Sequence, residues 1–149
     1  MAKKKKSTSG RIVNRRAKFD YQLEDSFVVG LQLTGKETKA LRMNQGSLQG
    51  SYVTVKDGEL WLINSLISDT KTFKIEDKTR TRKLLAKAKE IKQMIAKKEQ
   101  GRTLVPLEFL TKSRYIKLRI AAGKGKREYD KRQTIKKREF DRKTADITR

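Results

Sequence analysis

Large apolar residues alternate with polar ones in several short stretches of the chain. The clearest stretch carries four apolar side chains on one side of an extended segment: Phe27, Val29, Leu31 and Leu33. Because successive side chains of a strand point to opposite faces, this period of two predicts a half-buried strand. Val28 falls on the opposite, polar face, where it could contact a ligand or be covered by a neighbouring loop.

A hairpin is predicted immediately downstream. Ser51–Lys56 and Glu59–Ile63 are rich in β-forming residues and flank the dipeptide Asp57-Gly58. Asp-Gly between two such runs favours a tight turn, because both central turn residues need a positive φ. Trp61 lies in the second strand, and we expect its indole in the core in preference to an exposed base-stacking position.

A helix is predicted over Thr79–Gln100. Apolar residues recur there at spacings of four, three and four, along one helical face: Leu84, Ala88, Ile91 and Ile95. The opposite face is basic and carries Arg82, Lys89 and Lys97. Gly101 is well placed to end the helix.

The remaining segments complete the element list. Glu37–Met43 is predicted as a short helix with Ala40, Leu41 and Met43 facing inward, and Asp69–Lys78 is predicted as a loop. Two further strands are expected at Thr103–Phe109 and Arg114–Ala121. The first contains Pro106, which suggests an edge position or a bulge, and the second turns Tyr115, Lys117 and Arg119 outward.

About five strands and two helices predict a mainly β fold. We expect a small antiparallel barrel of the oligonucleotide-binding (OB) kind, with two or three packed helices and a disordered C-terminal tail. The predicted division is a disordered basic arm at 1–13, an OB-like core at 14–122 and a basic tail at 123–149.

Charge indicates the class of partner. The chain of 149 residues has 39 Lys and Arg against 17 Asp and Glu, a net charge of +22. Such an excess repels itself unless a polyanion neutralises it, so nucleic acid is the expected partner. A membrane surface would attract the charge too, but no apolar run is long enough to span a bilayer or to form a signal peptide.

Missing residue types argue against catalysis. The chain has no cysteine and no histidine, so thiol nucleophiles, disulfides, an imidazole base and the usual zinc ligands are excluded. The acidic residues form no pattern typical of acid–base chemistry. We therefore expect no enzyme, no cofactor and no metal, and a monomer in the cytoplasm.

The tail has too few apolar residues to pack by itself. It contains eleven basic and five acidic residues and no glycine or proline after Gly125. Glu128 and Arg132, and likewise Glu139 and Lys143, are acid-to-base pairs four residues apart, which favours a helix. We predict a segment that is disordered alone and becomes helical on a partner.

Three motifs together resemble those of the SsrA-binding protein family. They are Asn14-Arg15-Arg16-Ala17-Lys18-Phe19-Asp20-Tyr21 followed by Gly30-Leu31-x-Leu33-x-Gly35-x-Glu37, then Thr79-Arg80-Thr81-Arg82-Lys83-Leu84-Leu85, then Gly123-Lys124-Gly125-Lys126-Arg127-x-Tyr129-Asp130-Lys131-Arg132 with Ile135-Lys136-Lys137-Arg138. The similarity runs in order from about Asn14 to Asp141, and the combination is highly specific.

The resemblance implies an OB-type barrel that binds the tRNA-like part of transfer-messenger RNA and brings it to stalled ribosomes for trans-translation. It implies RNA contacts at Asn14, Leu85, Lys117 and Lys124, and we add Lys126 from the same motif. It also implies a tail that enters the empty mRNA path and contacts ribosomal RNA at the decoding centre. The implied tail residues are Tyr129, Asp130, Lys131, Arg132, Lys136, Lys137 and Arg138.

The chain departs from the family pattern at two positions. An acidic residue is usual at the position of Val28, and histidine is common at the position of Phe19. Valine accepts no hydrogen bond, so the carboxylate contact that the resemblance implies is not expected from position 28, and the nearby acids Glu24 or Asp25 could take its place. Two other functions remain open: a structural protein of the ribosome, and a nuclease that uses carboxylates and a metal.

Overall fold

A computed structural model describes residues 10–126 and 128–147, and in the last helix it describes side chains at 132, 133 and 135–142. The described strands are β1 Arg11–Val13, β2 Tyr21–Leu31, β3 Gly46–Ser47, β4 Tyr52–Lys56, β5 Glu59–Ile63, β6 Leu66–Ile67, β7 Arg82–Leu85, β8 Thr103–Leu110 and β9 Lys117–Gly125. The described helices are α1 Ala17–Asp20, α2 Gly35–Arg42, α3 Ala88–Glu99 and α4 Glu128–Ile147.

Seven strands form one antiparallel sheet in the order β1-β8-β9-β2-β7-β5-β4, and β3 pairs separately with β6. The predicted mainly β, antiparallel architecture is confirmed. The predicted closed barrel is not: among the described residues no ladder joins the edge strands β1 and β4. Helix α3 contributes to covering the core instead, because its Met94 is fully buried there and Lys98 reaches Thr54 of β4.

Strand β2 is the longest strand and runs through the middle of the sheet. Its alternation is confirmed, since Val29 is 2% exposed and Val28 is 41% exposed. The strand begins at Tyr21, earlier than predicted, because an irregularity between Leu23 and Ser26 lets the ladder with β9 continue past the expected start.

The predicted hairpin is confirmed. Asp57 and Gly58 both have a positive φ, of 53° and 73°, between β4 and β5. Trp61, however, is not in the core: Leu60 and Leu62 are fully buried, so strand alternation turns the indole between them outward, where it is half-buried.

The predicted helix over Thr79–Gln100 is two elements. Its first part is strand β7, which pairs with both β2 and β5, and the helix begins only at Ala88. Burial in β7 alternates: Arg82 and Leu84 are buried, whereas Leu85 is exposed. Arg82 is thus an interior residue and does not belong to a solvated helical face.

The structure also tests three predictions about single residues, Pro106, Met43 and Gly101. Pro106 lies at a shift of register between β8 and β9, which confirms the bulge. The ladder with β1 begins only at Glu108, so Pro106 pairs with β9 alone. Met43 was predicted to face inward and is 55% exposed, because it follows the last turn of α2. Gly101 has a φ of 85° after α3, as expected for the end of a helix.

The sheet extends beyond residues 14–122 at both ends. Strand β1 includes Arg11–Val13 and pairs with β8, and β9 continues to Gly125. The tail then forms α4, the helical state predicted for it on a partner. Its disorder in isolation stays a prediction, and Met1–Ser9, most of the predicted arm, lies outside the described residues.

A buried ion pair joins α2 to β7. Glu37 is 2% exposed and Arg82 is fully buried, and the Arg82 Nε–H donates to Glu37 Oε2 at 2.7 Å. The other Glu37 oxygen accepts from Arg80 at 2.6 Å and from the Thr34 backbone N–H at 3.0 Å. Arg82 Nη1 also donates to the backbone and hydroxyl oxygens of Ser65, at 2.8 and 2.9 Å. Both buried charges are therefore fully engaged in hydrogen bonds.

Burial alone would raise the pKa of Glu37, but hydrogen bonds from Arg80 and the Thr34 backbone, with the charge of Arg82, hold that pKa below its ordinary value of 4.5. Glu37 is therefore ionised at neutral pH and stabilises the fold in that form.

We predict that Arg82→Met lowers the free energy of unfolding by about 3–5 kcal/mol, because it leaves the Glu37 carboxylate without its fully buried partner. Urea unfolding followed by circular dichroism measures the change. Arg80→Met is the matched control and costs less, since the Arg80 side chain is 40% exposed. Equal effects of the two substitutions would show that burial of the pair is not what matters.

We also predict a defined pH dependence. Since folding lowers the pKa of Glu37, its stabilisation is present above the unfolded value of about 4.5 and is lost as the pH falls through the folded value. The difference in unfolding free energy between wild type and Glu37→Gln should therefore be largest near pH 7 and shrink at acidic pH. A difference that grows on acidification contradicts this account.

Candidate nucleic-acid interface

The outer face of the sheet centre brings two of the predicted site residues together. Gly30 of β2 pairs with Lys117 of β9 on one side and with Leu85 of β7 on the other. Directly paired residues of antiparallel strands point to the same face, so these three form one row across the sheet. Lys117 is exposed and Leu85 is 51% exposed, so the row offers a cation and an apolar side chain to a ligand.

Gly30 leaves the middle of this row without a side chain. A Cβ at this position would lie 3.3 Å from the Leu85 Cβ and 3.5 Å from the Leu85 carbonyl oxygen. The glycine therefore lets strand β7 and its Leu85 side chain lie close to β2, and it leaves backbone accessible between Leu85 and Lys117.

A second row lies beside the first. Val28 of β2 pairs with Arg119 of β9, which pairs with Glu108 of β8. Glu108 forms ion pairs with Arg119 at 3.6 Å and with Arg11 at 3.7 Å. The positive charge of this row is thus partly neutralised within the protein, and Val28 supplies a second exposed apolar contact.

The surface continues over β7 and β5. Lys83 pairs with Trp61 across the ladder and forms an ion pair with Glu59 at 3.0 Å. The indole N–H of Trp61 donates to the Lys56 carbonyl at 3.4 Å. Outside the core, Trp61 thus extends the interface with a partly exposed aromatic ring.

The loop between β8 and β9 borders the same surface and is held in place by Arg42 of α2. The guanidinium of Arg42 donates to the carbonyls of Thr111, Ser113 and Arg114 at 3.0, 3.1 and 2.7 Å. Tyr115 is 70% exposed, with the Arg114 guanidinium 5.6 Å from its ring centre. Tyr115 is exposed as predicted, but it lies in this loop and not in a strand, because β9 begins only at Lys117.

Asn14 lies at the β8 side of the sheet and serves the fold. Its side-chain N–H donates to the Pro106 carbonyl at 2.9 Å, and its backbone N–H donates to the Leu107 carbonyl at 2.7 Å. It is half-buried beside the row of Arg119 and Glu108, and it does not lie in the row of Lys117.

The structure does not bring Lys124 and Lys126 to Lys117. Lys124 pairs with Gln22 near the other end of β9 and is exposed there. Seven residues of strand separate it from Lys117, roughly 23 Å at the usual rise. The Lys126 backbone N–H donates to the Asp20 carbonyl at 2.9 Å, which ties the end of β9 to α1. The predicted RNA contacts therefore occupy two separate regions of the surface.

The tail residues lie on α4. For Tyr129, Asp130 and Lys131 the structure describes the helical backbone only, and their predicted side-chain roles lie outside the described residues. The side chains of Arg132, Lys136, Lys137 and Arg138 are exposed.

Arg138 of helix α4 lies close to an aromatic ring of α1. The Phe19 ring of α1 lies 5.2 Å from the Arg16 guanidinium and 5.8 Å from that of Arg138. The position where the family commonly has histidine is thus occupied by a ring that lies near two guanidinium groups.

Sequence reasoning missed part of this surface. Lys83 and Arg82 were placed together on a helix, although the alternation in Arg82-Lys83-Leu84-Leu85 would have indicated a strand that turns Lys83 and Leu85 outward. Glu24 and Asp25 lie at the β2 irregularity, where Glu24 pairs with Arg102 and Lys97 and Asp25 pairs with Lys97.

The described side chains include no group of three acidic residues that could hold a metal ion. No described helix is long and apolar enough to cross a membrane. What remains is an open, mostly basic face with apolar contacts, which is suited to phosphates and unstacked bases.

Comparisons with known proteins agree on one family. The family model described as "SmpB protein" matches residues 11–149. The chain is 47% identical over 142 residues to an SsrA-binding protein of Burkholderia vietnamiensis, with 93% of this chain and 96% of that protein covered. It is 42% identical over 143 residues to an SsrA-binding protein of Trichormus variabilis, with 92% of both covered.

Its fold is also similar to a chain of the solved structure "tmRNA-SmpB: a journey to the center of the bacterial ribosome". The TM-score is 0.68 at 33% identity, over 85% of this chain and 94% of the other. Together with the family model, these similarities show that the chain belongs to the SsrA-binding protein (SmpB) family.

Proposed function

We propose that this protein is a non-catalytic adaptor that binds the tRNA-like domain of transfer-messenger RNA and delivers it to stalled ribosomes for trans-translation. The single observation that carries the proposal is the row of Leu85, Gly30 and Lys117 on the open face of the sheet. It combines close backbone approach, an apolar contact and a cation in a chain whose relatives are named for binding SsrA.

In this proposal Leu85 and Lys117 form the central RNA contact, and Asn14 adds a contact beside the neighbouring row of Arg119 and Glu108. Lys124 lies seven residues of strand from Lys117, Lys126 lies just past the end of β9, and the two form a second contact on the same RNA. A folded RNA spans such a distance readily, because its phosphates form a continuous charged surface.

The tail has a separate role. Tyr129, Asp130, Lys131 and Arg132 enter the empty mRNA path as a helix, and Lys136, Lys137 and Arg138 pair with ribosomal RNA. The described side chains of α4 are exposed, with cations interleaved by acids, which supports this role because exposed cations can pair with phosphates.

The adaptor works as a monomer in the cytoplasm and needs no cofactor or metal. Peptide transfer and tagging are performed by the ribosome that it visits. The core of the protein, with the β1 residues 11–13 and the last residues of β9, holds one RNA, and the arm at its N-terminus adds positive charge.

We predict that truncation after Lys126 separates the two roles. The whole sheet is retained, because β9 ends at Gly125, so the truncated chain should bind the tRNA-like RNA with nearly wild-type affinity. It should fail to support tagging on stalled ribosomes, since α4 is missing. Filter binding and a reconstituted tagging reaction measure the two activities. Normal tagging by the truncated chain would contradict the proposed role of the tail.

We predict that Lys117→Gln weakens binding of the tRNA-like RNA and makes the slope of log affinity against log salt shallower by about 1, because one phosphate contact and its released counterion are lost. Lys71→Gln removes the same charge from an exposed loop and is the matched control. If both variants change the slope equally, net charge and not the row is responsible.

A further inference from the structure

A shallow groove on the candidate interface contains a carboxylate that its neighbours do not neutralise. The groove, about 370 Å³ in volume, is lined by Val28, Leu85, Ala86, Lys87 and Glu90. Val28 and Leu85 are 41% and 51% exposed and form its apolar wall. Glu90, in the first turn of α3, is half-buried at its other side.

Glu90 differs from the other acids of this surface. Glu108 is paired with Arg11 and Arg119, and Glu59 is paired with Lys83. The carboxylate of Glu90 forms no ion pair and accepts no hydrogen bond from any other residue that the structure describes. In a chain of net charge +22, cations are abundant, so an acid held half-buried beside two exposed apolar groups has its accepting oxygens available to a ligand.

We propose that Glu90 accepts hydrogen bonds from the Watson–Crick edge of an unpaired guanine of the bound RNA, with Val28 and Leu85 contacting the base. A carboxylate has two acceptor oxygens, and guanine offers two adjacent N–H donors on that edge, at N1 and N2, so the pair is bidentate. Single-stranded RNA loops present bases in this way. Glu90 is then a specificity-determining residue.

The sign of the change in RNA affinity on removal of the Glu90 carboxylate tests the inference. A carboxylate that merely faces RNA repels phosphates, so its removal from a basic protein strengthens RNA binding. A carboxylate that pairs with a base strengthens binding, so its removal weakens it. The two accounts predict opposite changes for the same substitution.

The experiment measures affinity of the full chain for a transcript of the tRNA-like domain. We expect Glu90→Gln to bind about tenfold more weakly, because one acceptor and the charge are lost. Glu99→Gln, the control at the other end of α3, should bind as well as wild type or slightly better. Thermal melting of both variants checks that α3 is intact. Adding Val28→Glu to Glu90→Gln, which returns a carboxylate to the groove, should restore part of the affinity.

Chemical probing identifies the base. Kethoxal modifies unpaired guanines at N1 and N2, and wild-type protein should protect one guanine that Glu90→Gln leaves reactive. The inference rests on the proposed function, and the two fail differently. If wild type does not bind this RNA, the function itself is wrong; if wild type binds and Glu90→Gln binds equally or more tightly, only the guanine contact is wrong.

Discussion

The buried pair of Glu37 and Arg82 is the interaction on which the rest of the structure depends. It joins the first turn of α2 to the start of β7, and Arg82 also hydrogen-bonds to Ser65 before β6. Strand β7 has only four residues, and its other end carries Leu85. Removing two charges from water is costly, and the cost is offset here by a complete set of hydrogen bonds. A structural ion pair at one end of a short strand thereby fixes the position of an exposed apolar side chain at the other.

Charge has two different uses in this molecule. Inside, along the second row of the sheet, and between α3 and β2, cations pair with acids and hold elements together: Arg82 with Glu37, Arg119 with Glu108, Lys97 with Asp25. On the central row and on α4, cations are left exposed. The net charge of +22 indicates only a polyanion. The structure shows which cations hold elements together and which are exposed, and the exposed ones define a binding face and a separate basic helix.

Local patterns predicted the elements whose causes are local. The hairpin at Asp57-Gly58 follows from backbone conformation, and the faces of β2 follow from alternation. Strand β7 was missed because Leu84 happens to lie at helical spacing from the apolar residues of α3, and because a buried arginine cannot be told from a solvated one without its partner. That partner, Glu37, is 45 residues away. The row of Leu85, Gly30 and Lys117 likewise joins strands that are distant in sequence. The family resemblance indicated Leu85 and Lys117 as RNA contacts, but only the strand register shows that both pair with Gly30.

The central claim is that one structured RNA is the specific ligand of this face. The most direct test is to purify the affinity-tagged protein from its own cells and to sequence the RNA that copurifies, in parallel with a Leu85→Asp variant. We predict one abundant RNA with a tRNA-like end in the wild-type sample and its strong depletion in the variant. A mixture of ribosomal RNAs without that species, or equal recovery by both proteins, would contradict the account.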